Sequence, residues 1–174
     1  MALATQSANL VWQKVNKALA NASPAAQDAF KALKVVLANQ KGNPDLQFLS
    51  WTASGALAAS GTGAMSSSTG GVAGIAGSGT LYGLYAKKTG TGTTASFLTA
   101  HDATDNVTGT TQTLAVMKFT NVNDERFYID PVGVVFLVDL TVSSTTTAAG
   151  TTETTGVSDS QGGFAIIGAA NAAA

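Results

Sequence analysis

His101 is the only histidine of the chain, and Asp102 follows it directly. An imidazole oriented by a carboxylate is the arrangement of a general base. In a strand, however, adjacent residues point to opposite faces, so these two cannot easily orient each other. No third partner of a nucleophilic site is indicated, and a structural role is expected for the pair. Asp102 with Asp105, or Asp124 with Glu125, could approach a Ca²⁺ ion, but both lack the series of oxygen ligands of a dedicated loop, and turn formation is the expected role. The chain contains neither a Gly-x-Ser-x-Gly elbow nor a Gly-x-x-x-x-Gly-Lys phosphate loop. Asn21-Ala22-Ser23 and Asn106-Val107-Thr108 match the glycosylation pattern, which matters only in a secreted eukaryotic chain, and are read as chance matches. Cysteine is absent, so disulfides and thiolate metal sites are excluded. No catalytic residue, cofactor or metal ligand is assigned.

Composition turns the expectation from chemistry to contact. Between Leu46 and Ala86 there is no charged residue, and most of that stretch is Gly, Ala, Ser and Thr. Catalysis needs titratable groups acting in concert, whereas an assembly surface needs neutral contact area, and this composition suits the second. Charged residues make up 11% of the 174, with a formal net charge of -1, which gives nothing to steer nucleic acid or an anionic membrane surface. No basic region followed by an apolar one opens the chain. The longest aliphatic run, 132–138, is broken by Gly133 and falls far short of the ~20 residues of a spanning helix. A soluble protein made in the cytoplasm is expected.

Residues 1–44 read as helical. Leu10, Val11, Val15, Ala18 and Leu19 recur at helical spacing, with Gln13, Lys14, Asn16 and Lys17 between them. Ser23 is a suitable N-cap, and Pro24 suits the first helical position because it needs no hydrogen-bond acceptor there. The second helix should bury Ala26, Ala29, Phe30, Leu33, Val36 and Leu37, and stop at Asn39, Lys41 and Gly42 before Pro44. Two such helices are marginal alone, so their stripes must dock on something.

Residues 45–78 form a second unit: an apolar cluster of Leu46, Phe48, Leu49 and Trp51, a possible first strand, and then a low-complexity arm. Fixing each residue costs ~1–2 kcal/mol while little apolar area is buried, so the arm is expected either to be a flexible linker or to become ordered only against a neighbour. Residues 79–174 read as β-structure. Strands are expected at 81–86 and 95–101, joined as a hairpin through a Gly/Thr turn, and at 113–119, with Ala115, Met117 and Phe119 on one face. A turn at 121–124 leads to 126–130, and Pro131 marks an edge or corner. The run 132–142 reads as the central strand, a polar loop opens at Ser143, and 164–167 is a last short strand. The expected class is mainly β with N-terminal α-helices: an antiparallel β-sandwich or jelly roll preceded by a two-helix element and an extended arm.

Gly79-Thr80-Leu81-Tyr82-Gly83-Leu84, the turn around Gly90 and Gly92, Thr99-Ala100-His101-Asp102-Ala103-Thr104 and Phe127-Tyr128-Ile129-Asp130-Pro131-Val132-Gly133-Val134 carry a resemblance. In strand order and turn residues, about the second half of the chain resembles the small β-sandwich decoration, or cement, proteins of tailed-bacteriophage heads. The resemblance implies a virion protein on the capsid surface. Its partner would be the major capsid protein, and it would be a homo-oligomer, a trimer before a dimer. No catalytic residues come with it.

Trp12, Val15, Leu19, Phe30, Leu33, Leu37, Phe48 and Trp51 are the candidate partner-contact residues. They have two readings: packing in the protein's own core, or an anchoring stripe laid on another subunit. The functional expectation is shell stabilisation by contacts made only in the assembled particle. The alternative is a tail or baseplate receptor-binding or carbohydrate-binding module, which would expose aromatic side chains together on loops. A hydrolase ranks last.

Overall fold

The computed structural model describes residues 8–39, 46–52, 62–64, 73–76, 78–89, 95–102, 112–145 and 161–169. Two helices come first, α1 (Ala8–Ala18) and α2 (Pro24–Asn39). The Ser23 hydroxyl accepts the Ala26 N–H at 3.3 Å, so it caps α2 as its position before Pro24 predicts. The Gln27 side-chain amide donates to the carbonyls of Leu19 and Ala22, both at 3.1 Å, adding to the Ala22 N–H that the Leu19 carbonyl accepts at 3.0 Å. The elbow is thereby welded to the start of α2. The apolar stripes are narrower than the sequence predicts. Leu10 and Ala18 are exposed and Trp12 is buried in their place, while Val36 is also exposed. Each helix touches the sheet along one line only, and residues rotated off that line meet solvent. α2 ends at Asn39. Lys41, Gly42 and Pro44, expected as its stop, lie outside the described residues.

Nine strands follow among the described residues: β1 (Leu46–Thr52), β2 (Thr62–Ala64), β3 (Ala73–Ala76), β4 (Gly79–Lys88), β5 (Ser96–Asp102), β6 (Gln112–Phe119), β7 (Glu125–Phe136), β8 (Asp139–Thr145) and β9 (Gln161–Ala169). They form a five-stranded sheet in the order β2-β1-β9-β4-β7 and a four-stranded sheet in the order β3-β8-β5-β6. Pairing is antiparallel except between β1 and β2. Between the sheets lies one core, with Leu81, Leu98, Met117, Phe119, Phe136 and Ile167 among its members. The protein is thus mainly β, a sandwich preceded by a two-helix element. The sandwich begins at Leu46 rather than at residue 79, because β1 pairs with β9 from Leu46↔Gly168 to Trp51↔Gly163. Within the expected arm, 62–64 and 73–76 pair with the chain's own β1 and β8. The rest of the arm lies outside the described residues, as do the turn at 90–94 and most of the Thr-rich loop after Thr145.

Three strand expectations need correction. First, β4 and β5 are not a hairpin: β4 lies between β9 and β7, while β5 lies between β8 and β6 in the other sheet. The cause is that β4 is apolar on both faces, with Leu81 and Leu84 facing the other sheet and Tyr82 and Tyr85 facing the helices. Such a strand is best placed inside the sheet that the helices cover. Second, the run 132–142 is not one central strand. It divides between the edge strand β7 and β8, with a bend at Leu137 and Val138. Third, Ser143, Ser144 and Thr145 do not begin a loop but belong to β8 and are buried, the Ser143 hydroxyl lying 3.0 Å from that of Thr99. The edge position expected for Pro131 is what β7 provides.

The helices cover the outer face of the five-stranded sheet. Phe164 in β9 is the centre of this layer, its ring 5.1 Å from those of Phe30 and Phe48 and 5.2 Å from that of Tyr85. A register shift between Leu81 and Gly83 sets both Tyr82 and Gly83 toward the helices. A Cβ on Gly83 would stand 2.9 Å from Phe30 Cε1, so glycine permits α2 to lie this close. No described helix is long and apolar enough to cross a membrane.

Candidate functional site

The sandwich separates the residues that could do chemistry. His101 is completely buried; its Nδ1 lies 3.4 Å from the Thr113 hydroxyl, and burial pushes its pKa down. Asp102 does not orient it. The Asp102 carboxylate instead accepts the backbone N–H groups of Leu137 at 2.8 Å and Val138 at 2.7 Å. The Asp124 carboxylate accepts the backbone N–H groups of Asn121 and Thr120 and the Thr120 hydroxyl, which lower its pKa to about 2 and close the turn between β6 and β7. In that turn Asn123 takes the left-handed conformation, φ 69°. Asp105 and Asn106 lie outside the described residues. Among the described residues no three His, Cys, Asp or Glu side chains come together as a metal site.

Glu125 holds the layers together. Its carboxylate accepts the Ser23 N–H, at 2.9 Å to Oε2 and 3.2 Å to Oε1, and the Tyr85 hydroxyl donates to Oε1. Burial of the carboxyl raises its pKa, but the hydrogen bonds from Tyr85 and Ser23 outweigh this and the net shift is downward. A shallow, open groove of about 330 Å³ lies nearby, lined by residues including Trp51, Tyr85, Lys87 and Gly163. Its polar aromatic groups are committed: Tyr85 donates to Glu125, and Trp51 Nε1 donates to the Gln161 carbonyl at 2.9 Å.

All eight candidate contact residues lie in the core. Trp12, Val15, Leu19, Phe30, Leu33, Leu37 and Phe48 are buried between the helices and the five-stranded sheet, and Trp51 is buried between the two sheets. The most exposed of them retain 6% of their surface. Of their two readings, packing in the protein's own core is therefore the one realised, and the helical stripes are already occupied.

Another group of side chains faces solvent. Val132 is 85% exposed, Leu137 73%, Val135 56% and Val138 48%, all where the end of β7 bends into β8. The backbone beneath them is fixed. Asp130 Oδ1 accepts the N–H groups of Val132 at 3.0 Å and Gly133 at 3.1 Å, and Asp102 takes those of Leu137 and Val138. Gly133 has φ 88°, a left-handed conformation that a side chain would strain, and a Cβ there would stand 2.2 Å from Thr80 Cγ2. The result is an aliphatic corner on a rigid frame. It can exclude water against another apolar surface, and its two carboxylates are engaged in holding it. Comparison with known protein families, curated proteins and solved structures finds no match.

Sequence reasoning missed this corner because an unbroken aliphatic run reads as a buried strand. The signal was present in Asp130-Pro131-Val132-Gly133. A proline without a donor, a carboxylate able to cap the next two N–H groups and a glycine together describe an irregular edge.

Proposed function

We propose that this chain is a structural protein of a virus particle, a capsid decoration or cement protein that binds the lattice of the major capsid protein and stabilises the shell. The aliphatic corner of Val132, Val135, Leu137 and Val138 carries the proposal, being a surface suited to protein contact and held by backbone hydrogen bonds. The low charge of the chain and the sequence resemblance support the same reading. In this role the sandwich is a stiff body added to the capsid surface after synthesis in the host cytoplasm. Stabilisation comes from binding the assembled lattice in preference to free capsid subunits. Each contact is small, and repetition over a symmetric shell multiplies it. No enzymatic step, cofactor, nucleic acid or membrane enters the proposal.

The test is co-sedimentation of the full chain with capsid shells of the virus that encodes it. Binding that saturates at a fixed ratio to the major capsid protein, with a raised shell-disruption temperature, is expected. Failure to co-sediment, with retention on a glycan array, would assign the protein to the receptor-binding class instead.

A further inference from the structure

We infer that His101 and Asp102 form an acid-operated latch on the β7–β8 corner: when His101 takes up a proton, the end of β5 opens and the corner loses one of the carboxylates that hold it. The latch is a property of this chain alone, and its consequence for a shell rests on the proposed function.

The ring of His101 is completely buried and poorly satisfied. Its Nδ1 lies 3.4 Å from the Thr113 hydroxyl, and its Nε2 has no hydrogen-bond partner. A neutral imidazole has one donor and one acceptor, so one of its two polar atoms is already unmatched. An imidazolium would bring a charge and two N–H donors to the same place. Among the described residues, β6 sets Thr113 and β8 sets Thr141 opposite His101, and neither is charged. The charged residues of these three strands are Asp102, whose carboxylate is turned onto Leu137 and Val138, Asp139, opposite Ala76 in β3, and Lys118, at the far end of β6 over the Phe97 ring. Burial acts on the His101 pKa without an opposing charge, and it acts downward. The closed fold therefore excludes the proton, and His101 is protonated by reaching water.

The route is local. His101 is the last residue but one of β5, and the pairing with β6 shifts register between Ala100 and His101. Freeing the last two residues breaks the ladder at an irregularity already there and leaves Ser96 to Ala100 paired. Asp102 moves with His101 because the two are consecutive. The N–H of Leu137, 2.8 Å from Oδ2, and that of Val138, 2.7 Å from Oδ1, then lose their acceptor. Both residues are exposed, so this frame rather than burial keeps them in place. The open form binds a proton with the ordinary histidine pKa of 6.5 and the closed form resists it, so opening becomes easier as the pH falls below 6.5. Between about pH 7.5 and about pH 5 the gain is up to about thirtyfold.

Hydrogen exchange of the full chain, followed by NMR and read as protection factors that remove the intrinsic pH dependence of exchange, tests this. From about pH 7.5 to about pH 5, protection of the Leu137 and Val138 N–H groups is expected to fall by up to about thirtyfold, while that of Leu84 in β4 and Ile166 in β9 holds. His101→Gln should keep Leu137 and Val138 equally protected at both pH values. Should that variant fail to fold, the wild-type imidazole resonances carry the test, since they should titrate together with the loss of protection. Protection at Leu137 and Val138 that ignores pH, or the same loss in His101→Gln, would overturn the inference. An equal loss at Leu84 and Ile166 would do so too, by showing global unfolding. Shells loaded with the chain separate the latch from the proposed function: the wild type should detach in acid and His101→Gln should stay bound. A chain that opens in acid but binds no shell at neutral pH refutes the function and leaves the latch standing, and shell binding without acid opening does the reverse.

Discussion

Replacing Glu125 by Gln should loosen the helical layer from the sandwich. The carboxylate collects the Ser23 N–H at the start of α2 and the Tyr85 hydroxyl from β4, while Glu125 itself begins β7. Three elements therefore meet on one side chain. Glutamine preserves the shape, but its oxygen is a weaker acceptor and its amide adds a donor facing two donors. A hydrogen bond to a charged group contributes ~1.5–3 kcal/mol; with a half-buried carboxylate and partial replacement by the amide oxygen, the expected loss is ~1–2 kcal/mol. In a domain of this size that corresponds to a fall of about 2–8 °C in Tm at neutral pH. The pH dependence supplies a second reading. Because the folded pKa of Glu125 lies below 4.5, its contribution is fully present above the unfolded value and is lost as the pH falls through the folded one. The difference between wild type and Glu125→Gln, followed by circular dichroism in thermal melts, should therefore close on acidification below pH 4.5. Tyr85→Phe in a double-mutant cycle should show coupling with Glu125→Gln. A variant within ~0.5 kcal/mol of wild type at pH 7, or a gap that stays constant into acid, would refute this account of the contact.

Gly163→Ala should be the more damaging of two glycine substitutions. Its Cβ would stand 2.0 Å from the Tyr85 carbonyl oxygen and 2.9 Å from Ala86 Cα, where only backbone could move, whereas Gly83→Ala meets the ends of the Phe30 and Leu33 side chains. Urea unfolding should place Gly83→Ala ~1–3 kcal/mol below wild type and Gly163→Ala beyond that; equal losses would contradict the ordering. His101 is held neutral by burial, with its pKa lowered from 6.5. Between 6.5 and the lower folded value, the unfolded chain binds a proton that the fold excludes, so stability should fall as the pH drops through that window. His101→Gln should flatten this slope in urea titrations at successive pH values, and an unchanged slope would exclude His101 as its source.

The parts of the fold legible in the sequence are those decided by neighbours in the chain. Ser23 before Pro24 marked the start of α2, and Ala115, Met117 and Phe119 alternate into the core of β6 as their spacing predicts. Pairing partners were not legible, because adjacency in sequence suggested a hairpin between β4 and β5. What separates them is burial of both faces of β4, and that depends on helices more than forty residues upstream. The same limit hid the candidate site. Hydrophobic patterning identifies residues that gain by leaving water, but not which molecule supplies the cover. For the helical stripes the cover is this chain's own sheet, so the apparent contact residues became core. For Val132, Leu137 and Val138 the deciding groups are polar: Asp130 and Asp102 satisfy the backbone N–H groups that an inner strand would give to a neighbouring strand, while Val135 lies opposite Thr80 on the edge strand β7. With those donors satisfied, the chain can turn at an edge and leave aliphatic side chains outside. An aliphatic segment that pairs with a strand only through its middle, Val134 to Phe136, and whose N–H groups at both ends are bound by nearby carboxylates, reads as a surface made for contact.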